Sequence, residues 1–375
     1  MKKAGILGGG QLGRMLLQAA ANYPVETFIM EKEDTVPAAN LCKNFIKGDI
    51  TKFEDVYAFG KNLDIVTIEI ENVNIDALEK LADEGVTIIP HPSALRIIQN
   101  KISQKQFYQE HQIPTSPFVI TQSSSELKNH SEFLPAVHKL GTGGYDGKGV
   151  QIINNEHDFS KAFNEPAVLE KKISIKQEIS IIIAVAQNGQ TAVYPPVDMV
   201  FDNDLNLLNY QICPAQINEI IFYKAEAIAI SAVKHLKSAG LFAVELFTDA
   251  EDNVWINEIA PRVHNSGHHS IEGNYCSQFD MMWRILLDYP LGNTDLIMPS
   301  ALVNIVGADN YEGEAIYDGL EEVLTMNNAF VHIYGKSLTK PGRKMGHITL
   351  LSKDMQELLY KANQVKHKLT VKSKS

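Results

Sequence analysis

The first hundred residues alternate two hydrophobic periods. AGILGG, VETFIME, DIVTIEI and VTIIP are short apolar runs that end in polar turns and read as strands. GRMLLQAAANY and IDALEKLADEG carry apolar residues at helical spacing between them. Strands separated by helices predict a parallel α/β sheet. HPSALRIIQNK reads as a boundary, and ISQKQFYQEHQIP as a helix ending before Pro114. The pattern then turns antiparallel. SIIIAVAQ and QTAVYPPV flank Asn188-Gly189, a strong hairpin signal. KAEAIAISAVKHLKSAG predicts an amphipathic helix capped by Gly240. FAVELF and VWINEIA flank the polar turn TDAEDN and predict a second hairpin. DMMWRILLDYP reads as a helix. From Pro299 onward short strands and turns predict a small β-rich end, and the basic VKHKLTVKSKS reads as a solvated tail.

The chain of 375 residues is long enough for two or three domains. Its formal charge of −11 argues against a general nucleic-acid or membrane-surface binder. No apolar run approaches the roughly 20 residues of a membrane helix, and the N-terminal apolar run is too short for a signal peptide. Cys42, Cys213 and Cys276 match no metal spacing and point to reduced thiols of a cytoplasmic protein.

Two glycine clusters carry candidate chemistry. Gly8, Gly10 and Gly13 fit G-x-G-x-x-G after a strand, with Glu31 at the end of the next strand. That pattern admits a dinucleotide site, a plain βα turn, or a seat for another polar ligand that Gln11 would contact. KLGTGGYDGKGV, residues 139–150, holds five glycines between strand-like segments, with Lys139 and Lys148 placed for phosphate oxygens. It lacks the Gly-Lys-Ser/Thr of a Walker loop and reads as a hairpin lid.

Glu245 and Glu258 lie on the two arms of the second hairpin. With the turn centred between Glu251 and Asp252 they stand opposite each other on one face, beside Ala243, Phe247, Ile256 and Ala260. Two carboxylates at that range repel unless a cation sits between them. Oxygen ligands beside a phosphate site suit Mg²⁺. Asn257 would need a bulge to join the same ion. NEIAPRVHNSGHHS then supplies an arginine, histidines and an asparagine, more polar chemistry than a core strand or a solvated loop requires.

With EKKI and Glu178 added, this set resembles the ATP-grasp superfamily. GGGQLGRM, TIEIENV, GGYDGKG, NEIAPRVHNSGHHS, Lys336 and Arg343 narrow the resemblance to the 5-(carboxyamino)imidazole ribonucleotide synthases, over nearly the whole chain. The resemblance implies a Rossmann-like domain at 1–97, an ATP-grasp domain at 98–298 and a small β-rich domain at 299–375. It implies ATP held by Arg96, Lys139, Gly144, Tyr145, Asp146, Gly147, Lys148, Gly149, Glu170, Lys171, Ile173, Glu178, Asn257 and Glu258, with Mg²⁺ on Glu245 and Glu258. It implies bicarbonate and 5-aminoimidazole ribonucleotide as substrates, carboxyphosphate as intermediate, a homodimer, and coupling to a carboxyaminoimidazole ribonucleotide mutase. Arg262 would hold bicarbonate, His264 would act as acid–base group and Asn265 would orient the carboxyl group. Gln11, Glu71, Lys336 and Arg343 would bind the imidazole nucleotide, the last two through its phosphate. Val150 and Phe201 depart from the family, which has glutamine and histidine there. The rival readings are another ATP-grasp ligase, a nicotinamide oxidoreductase and a nucleotide-binding regulatory module.

Overall fold

Five parallel strands form the N-terminal sheet of this computed structural model, in the order Asn44–Lys47, Val25–Glu31, Lys2–Leu7, Ile65–Ile68, Thr87–Ile88. The structure describes residues 1–144, 149–202 and 207–374, and side chains outside 201–209. Strand order reverses at the central pair, Lys2–Leu7 beside Ile65–Ile68. A crevice therefore opens at their carboxyl ends, where Gly8–Gly13 and Glu69–Glu71 follow. Helix Gln11–Ala20 turns Leu12, Met15, Leu16 and Ala20 into the core. Helix Ile75–Asp83 starts at Asn74, whose side chain accepts from the Ala77 N–H at 2.9 Å.

HPSALRIIQNK, read as a boundary, is a helix over Pro92–Ile98. Proline in its first turn fits the helix start, but seven residues are too few to show a periodicity. Asn100 then caps helix Lys101–Glu110, which places two lysines, Lys101 and Lys105, on one helical face at an i,i+4 spacing.

The middle segment builds two sheets. Phe118–Thr121, Ala167–Lys171, Ala136–Leu140 and Val150–Ile153 form a four-stranded antiparallel sheet in that order. A nine-stranded sheet runs Val254–Ala260, Gly240–Thr248, Gln177–Val185, Val197–Asp202, Leu207–Cys213, Ser300–Val306, Lys344–Leu351, Ala329–Ile333, with Thr191–Val193 paired to Gln177–Val185. Gln211 pairs with Leu302, so the β-rich end continues the large sheet across residue 298. Alternation along Gln177–Val185 and Gly240–Thr248 sends Ile181, Ile183 and Val244 to one face, under helix Glu219–His235. Ile182, Ala184 and Ala243 go to the other, under helix Gln278–Leu286. That second helix also meets helix Gln11–Ala20: the fully buried Trp283 donates Nε1–H to the Leu16 carbonyl at 2.7 Å. The N-terminal sheet is thereby fixed against the large one.

Three expectations are corrected here. Helix Glu219–His235 ends before Gly240, because Lys237 takes the left-handed conformation at φ 51° and Gly240 opens the next strand. The chain end is no solvated tail: Thr370–Ser373 pairs with Gly313–Asp318, and Val371 is 1% exposed. Its alternating L-T-V pattern outweighs the flanking charge, and Lys372 and Lys374 reach Asp318 and Glu314 at 2.6 Å each. The β-rich end also carries helix Met355–Lys368, which packs Leu358, Ala362 and Val365 on Val303, Ile348 and Leu350.

Candidate active site

Glu245 and Glu258 are direct cross-strand partners. Beyond them the register shifts, so Ile256 faces Leu246 rather than Phe247, and Asn257 is the extra residue of a bulge. The bulge turns the Asn257 side chain toward Lys139 Nζ, 3.0 Å from its Oδ1. Lys101 Nζ stands 2.8 Å from Glu258 Oε2, with the Glu258 side chain 43% exposed to the cleft. Burial raises the Glu245 carboxyl to about 8, and Glu258 and Glu178 beside it add to the rise. Burial also works against the Glu258 charge, but Lys101 and Lys139 more than offset it, so this carboxyl lies below its ordinary value. The pair thus keeps one proton near neutral pH, as two close carboxylates do without a cation.

Lys139 sits on the lid sheet, opposite Val150. Its Nζ also meets Glu170 Oε1 at 3.1 Å. Gly144 and Gly149 close the base of the hairpin back to back: a Cβ on Gly144 would lie 2.5 Å from the Gly149 Cα. Only glycine permits that approach. Tyr145, Asp146, Gly147 and Lys148 lie outside the described residues, as does the Phe201 side chain. Burial lifts the Glu178 carboxyl to about 7 on the neighbouring strand. Lys171 is exposed and Ile173 half-buried, just past the edge of the small sheet.

The second half of the site grows from the end of the Glu258 strand. Arg262 Nη2 lies 2.8 Å from Glu71 Oε1, and Arg262 Nη1 donates to the Val263 carbonyl at 3.0 Å. An ion pair across 191 residues thereby joins the crevice of the N-terminal sheet to the large sheet. His264 Nδ1 accepts from the Ser266 N–H at 3.3 Å and lies 2.9 Å from Ser266 Oγ. A backbone N–H can only donate, so the ring proton sits on Nε2, which points at Glu245 Oε1 from 3.6 Å. Burial, with the Arg262 and Lys344 charges, lowers the His264 pKa to about 3, and the ring is neutral. Gln278 holds the backbone here, accepting from His264 N at 2.8 Å and donating to His264 O at 2.7 Å. Asn265 is half-buried in the turn that follows, and His268 and His269 are buried.

The N-terminal glycine turn is already filled by protein. Glu69 Oε2 accepts from the Gly13 N–H at 3.1 Å, and Glu31 Oε2 from the Gly9 N–H at 3.2 Å. A Cβ on Gly10 would meet Glu69 Oε1 at 2.3 Å, so the glycines make room for a carboxylate where a dinucleotide would seat its pyrophosphate. Gln11 instead accepts from Lys336 Nζ at 3.1 Å. Lys336 also donates to the Lys344 carbonyl at 2.7 Å, while Arg343 Nη1 donates to the Leu338 carbonyl at 2.8 Å.

The structure does not bring Arg96 to this cleft. It lies on helix Pro92–Ile98, ion-paired with Asp76 and, at 2.7 Å, with Glu79. The cation at the carboxylate pair is Lys101, at the start of the next helix. Sequence reasoning missed Lys101, Lys105, Glu69, Gln278 and Lys344, the last of which adds its charge to the surroundings of His264. The TIEIEN stretch held the available signal for Glu69, two acids at one strand end. Lys105 and Gln278 sit in ordinary helical sequence.

Three family models match the chain: a ribonucleotide synthetase preATP-grasp domain over residues 1–99, an ATP-grasp domain over 106–279 and a phosphoribosylaminoimidazole carboxylase C-terminal domain over 300–361. The N5-carboxyaminoimidazole ribonucleotide synthase of Bacillus subtilis is 33% identical over 360 residues, 94% of this chain and 92% of that protein. The chain spans 64% of the Candida glabrata phosphoribosylaminoimidazole carboxylase, to which it is also similar. The crystal structure of N5-carboxyaminoimidazole ribonucleotide synthetase from Thermotoga maritima superposes with a TM-score of 0.91 at 35% identity, covering 100% of both chains. The Aspergillus clavatus N5-carboxyaminoimidazole synthase in complex with ADP and 5-aminoimidazole ribonucleotide follows at 0.88 and 32%, covering 98% of each. The chain belongs to the N5-carboxyaminoimidazole ribonucleotide synthase family of ATP-grasp ligases.

Proposed function

We propose that this chain uses ATP and bicarbonate to carboxylate the exocyclic amine of 5-aminoimidazole ribonucleotide, a step of purine synthesis. The observation that carries the reading is one cluster of side chains joining three parts: the Glu245–Glu258 pair with its lysines, the Arg262–Glu71 link and the neutral His264 beside Glu245. The ADP and 5-aminoimidazole ribonucleotide complex of the Aspergillus clavatus relative supports the same substrates.

Glu245 and Glu258 fit a hard divalent cation. They are opposed oxygen ligands with Asn257 on the adjoining bulge, and they retain a proton that a cation would displace. Among the described residues no cluster of three His, Cys, Asp or Glu side chains surrounds one point, so ATP phosphates would complete the shell, an arrangement Mg²⁺ accepts. Bound there, Mg²⁺ would neutralise phosphate charge.

The chain's own groups do the rest. Lys101 and Lys139 lower the repulsion between ATP and bicarbonate. A bicarbonate oxygen attacks the γ-phosphorus, ADP leaves, and carboxyphosphate remains. Arg262, its plane fixed by Glu71 and the Val263 carbonyl, offers its remaining guanidinium hydrogens to the carboxyl oxygens. His264 was expected as an acid–base group. Its low pKa and Nε2–H favour a different part, a neutral donor to the oxyanion. The amine nitrogen then attacks the carboxyl carbon, the carbon–oxygen bond to phosphorus breaks, and the departing phosphate takes the amine proton. Gln11 and Glu71 lie at the sheet crevice for the imidazole nucleotide, and Lys336 and Arg343 would hold its phosphate.

The same reading includes a homodimer, a cytoplasmic setting and hand-over of the product to a mutase. Among the described residues no helix is long and apolar enough to cross a membrane. The test is ADP release with labelled bicarbonate. ADP and N-carboxylated product should appear one for one, and ADP should fall to background when either bicarbonate or the nucleotide is omitted. ADP release indifferent to both would reject the reading.

A further inference from the structure

Glu170 lies on the strand Ala167–Lys171 and is 4% exposed. Each carboxylate oxygen is taken by a different lysine: Oε2 by Lys105 at 3.0 Å and Oε1 by Lys139 at 3.1 Å. Lys105 is 3% exposed, and its ammonium also donates to Thr115 Oγ1 at 2.6 Å. The Thr115 hydroxyl in turn donates to the Ile256 carbonyl at 3.0 Å. Lys139 goes to the next residue along, Asn257 Oδ1 at 3.0 Å. One carboxylate of the small sheet thus reaches, through two lysines, two consecutive residues of the large sheet. Those residues form the bulge immediately before Glu258.

This network is a costly way to stabilise a fold. A buried ion pair can often be replaced by apolar side chains without loss. Lys105 does not open on the cleft, so it cannot touch a nucleotide. What the network fixes is geometry. Helix Lys101–Glu110, the small sheet and the bulge are tied at one point, and the surplus positive charge belongs to Lys139, the member with 16% of its side chain exposed.

We propose that Lys105 and Glu170 are positioning residues that lock the small sheet to the Asn257 bulge and hold the Lys139 ammonium at a fixed place over Glu258. The inference rests on the reading that Lys139 serves ATP. It also changes the part given to Glu170. Named among the residues that hold ATP, it would act on the nucleotide through Lys139 rather than by direct contact of its own carboxylate.

The test is a double-mutant cycle on the full chain. Glu170→Gln keeps the shape, and Lys105→Met removes the second anchor; should Lys105→Met fail to fold, Glu170→Gln alone carries the test. Glu170→Gln should lower kcat/KM for ATP by between about tenfold and a hundredfold, the scale of a misplaced catalytic contact. KM for the imidazole nucleotide should stay at its parent value, while Tm should fall, because the buried Lys105 ammonium loses its counter-charge. In a Lys139→Met background the same change should cost nothing further. If Glu170→Gln instead multiplies the Lys139→Met loss, or worsens the constants for the imidazole nucleotide as much as those for ATP, the positioning role is overturned while the ATP reading stands. Normal ATP kinetics in Lys139→Met alone would overturn both.

Discussion

Replacing Glu245 by glutamine should stabilise the ligand-free protein while removing its activity. The carboxyl is raised from 4.5 to about 8 by burial and by the Glu258 and Glu178 charges. At 1.36 kcal/mol for each tenfold change in proton affinity, that rise corresponds to roughly 4–5 kcal/mol. The side chain keeps 21% of its surface open. Solvent screening and relaxation therefore leave an expected effect of about 2 kcal/mol. The sign follows from proton counting. The unfolded chain releases this proton above about pH 4.5, whereas the folded chain keeps it until about 8, so this site makes stability fall across that window and adds no slope above it. A glutamine does not titrate. Glu245→Gln should match the parent near pH 5 and exceed it by about 2 kcal/mol, a few degrees in Tm, at pH 8.5. The assay is thermal or urea unfolding in EDTA at both pH values, repeated with Mg²⁺ and ATP. With ligands the parent should regain the advantage, because the stabilisation from binding is lost in the variant. A difference between the two proteins that does not change with pH, or a variant less stable at pH 8.5, would refute the reasoning.

Glu258→Gln should lower ADP formation by at least about a hundredfold at ordinary Mg²⁺ with Tm little changed, since it removes the ionised member of the pair; steady-state ADP release measures this. Arg343→Ala should raise KM for the imidazole nucleotide about tenfold to a hundredfold, the cost of one charged hydrogen bond, and leave KM for ATP unchanged. Initial rates with each substrate varied separate the two. Titration with NAD or NADP should show no saturable binding at micromolar concentration, because Glu69 and Glu31 already take amides of the glycine turn; calorimetry reads this directly.

Local patterns were legible where one periodicity ruled a long enough segment. The parallel sheet, both hairpins and the opposition of Glu245 and Glu258 follow from period two, turn residues and strand length. The limits have physical causes. A bulge is one residue, so Asn257 could be named as needing one, but the register shift it causes, which sets Ile256 against Leu246, could not be read. The terminal strand was hidden because its lysines are satisfied by acids more than fifty residues away. Lys101 was passed over beside the carboxylate pair, and Arg96 named for ATP instead, because two helices meet near Asn100 and which of their basic residues faces Glu258 depends on the angle between them. Glu69 was passed over because a glycine turn looks the same in sequence whether it surrounds a phosphate or a carboxylate from the next strand.

The central claim is that ATP activates bicarbonate before the amine attacks. It is tested by turnover with ¹⁸O-labelled bicarbonate and mass analysis of the inorganic phosphate. The bicarbonate oxygen that attacks the γ-phosphorus stays with phosphorus when the carbon–oxygen bond breaks. The phosphate should therefore carry one labelled oxygen for each product formed. Unlabelled phosphate accompanying normal product formation would contradict the account.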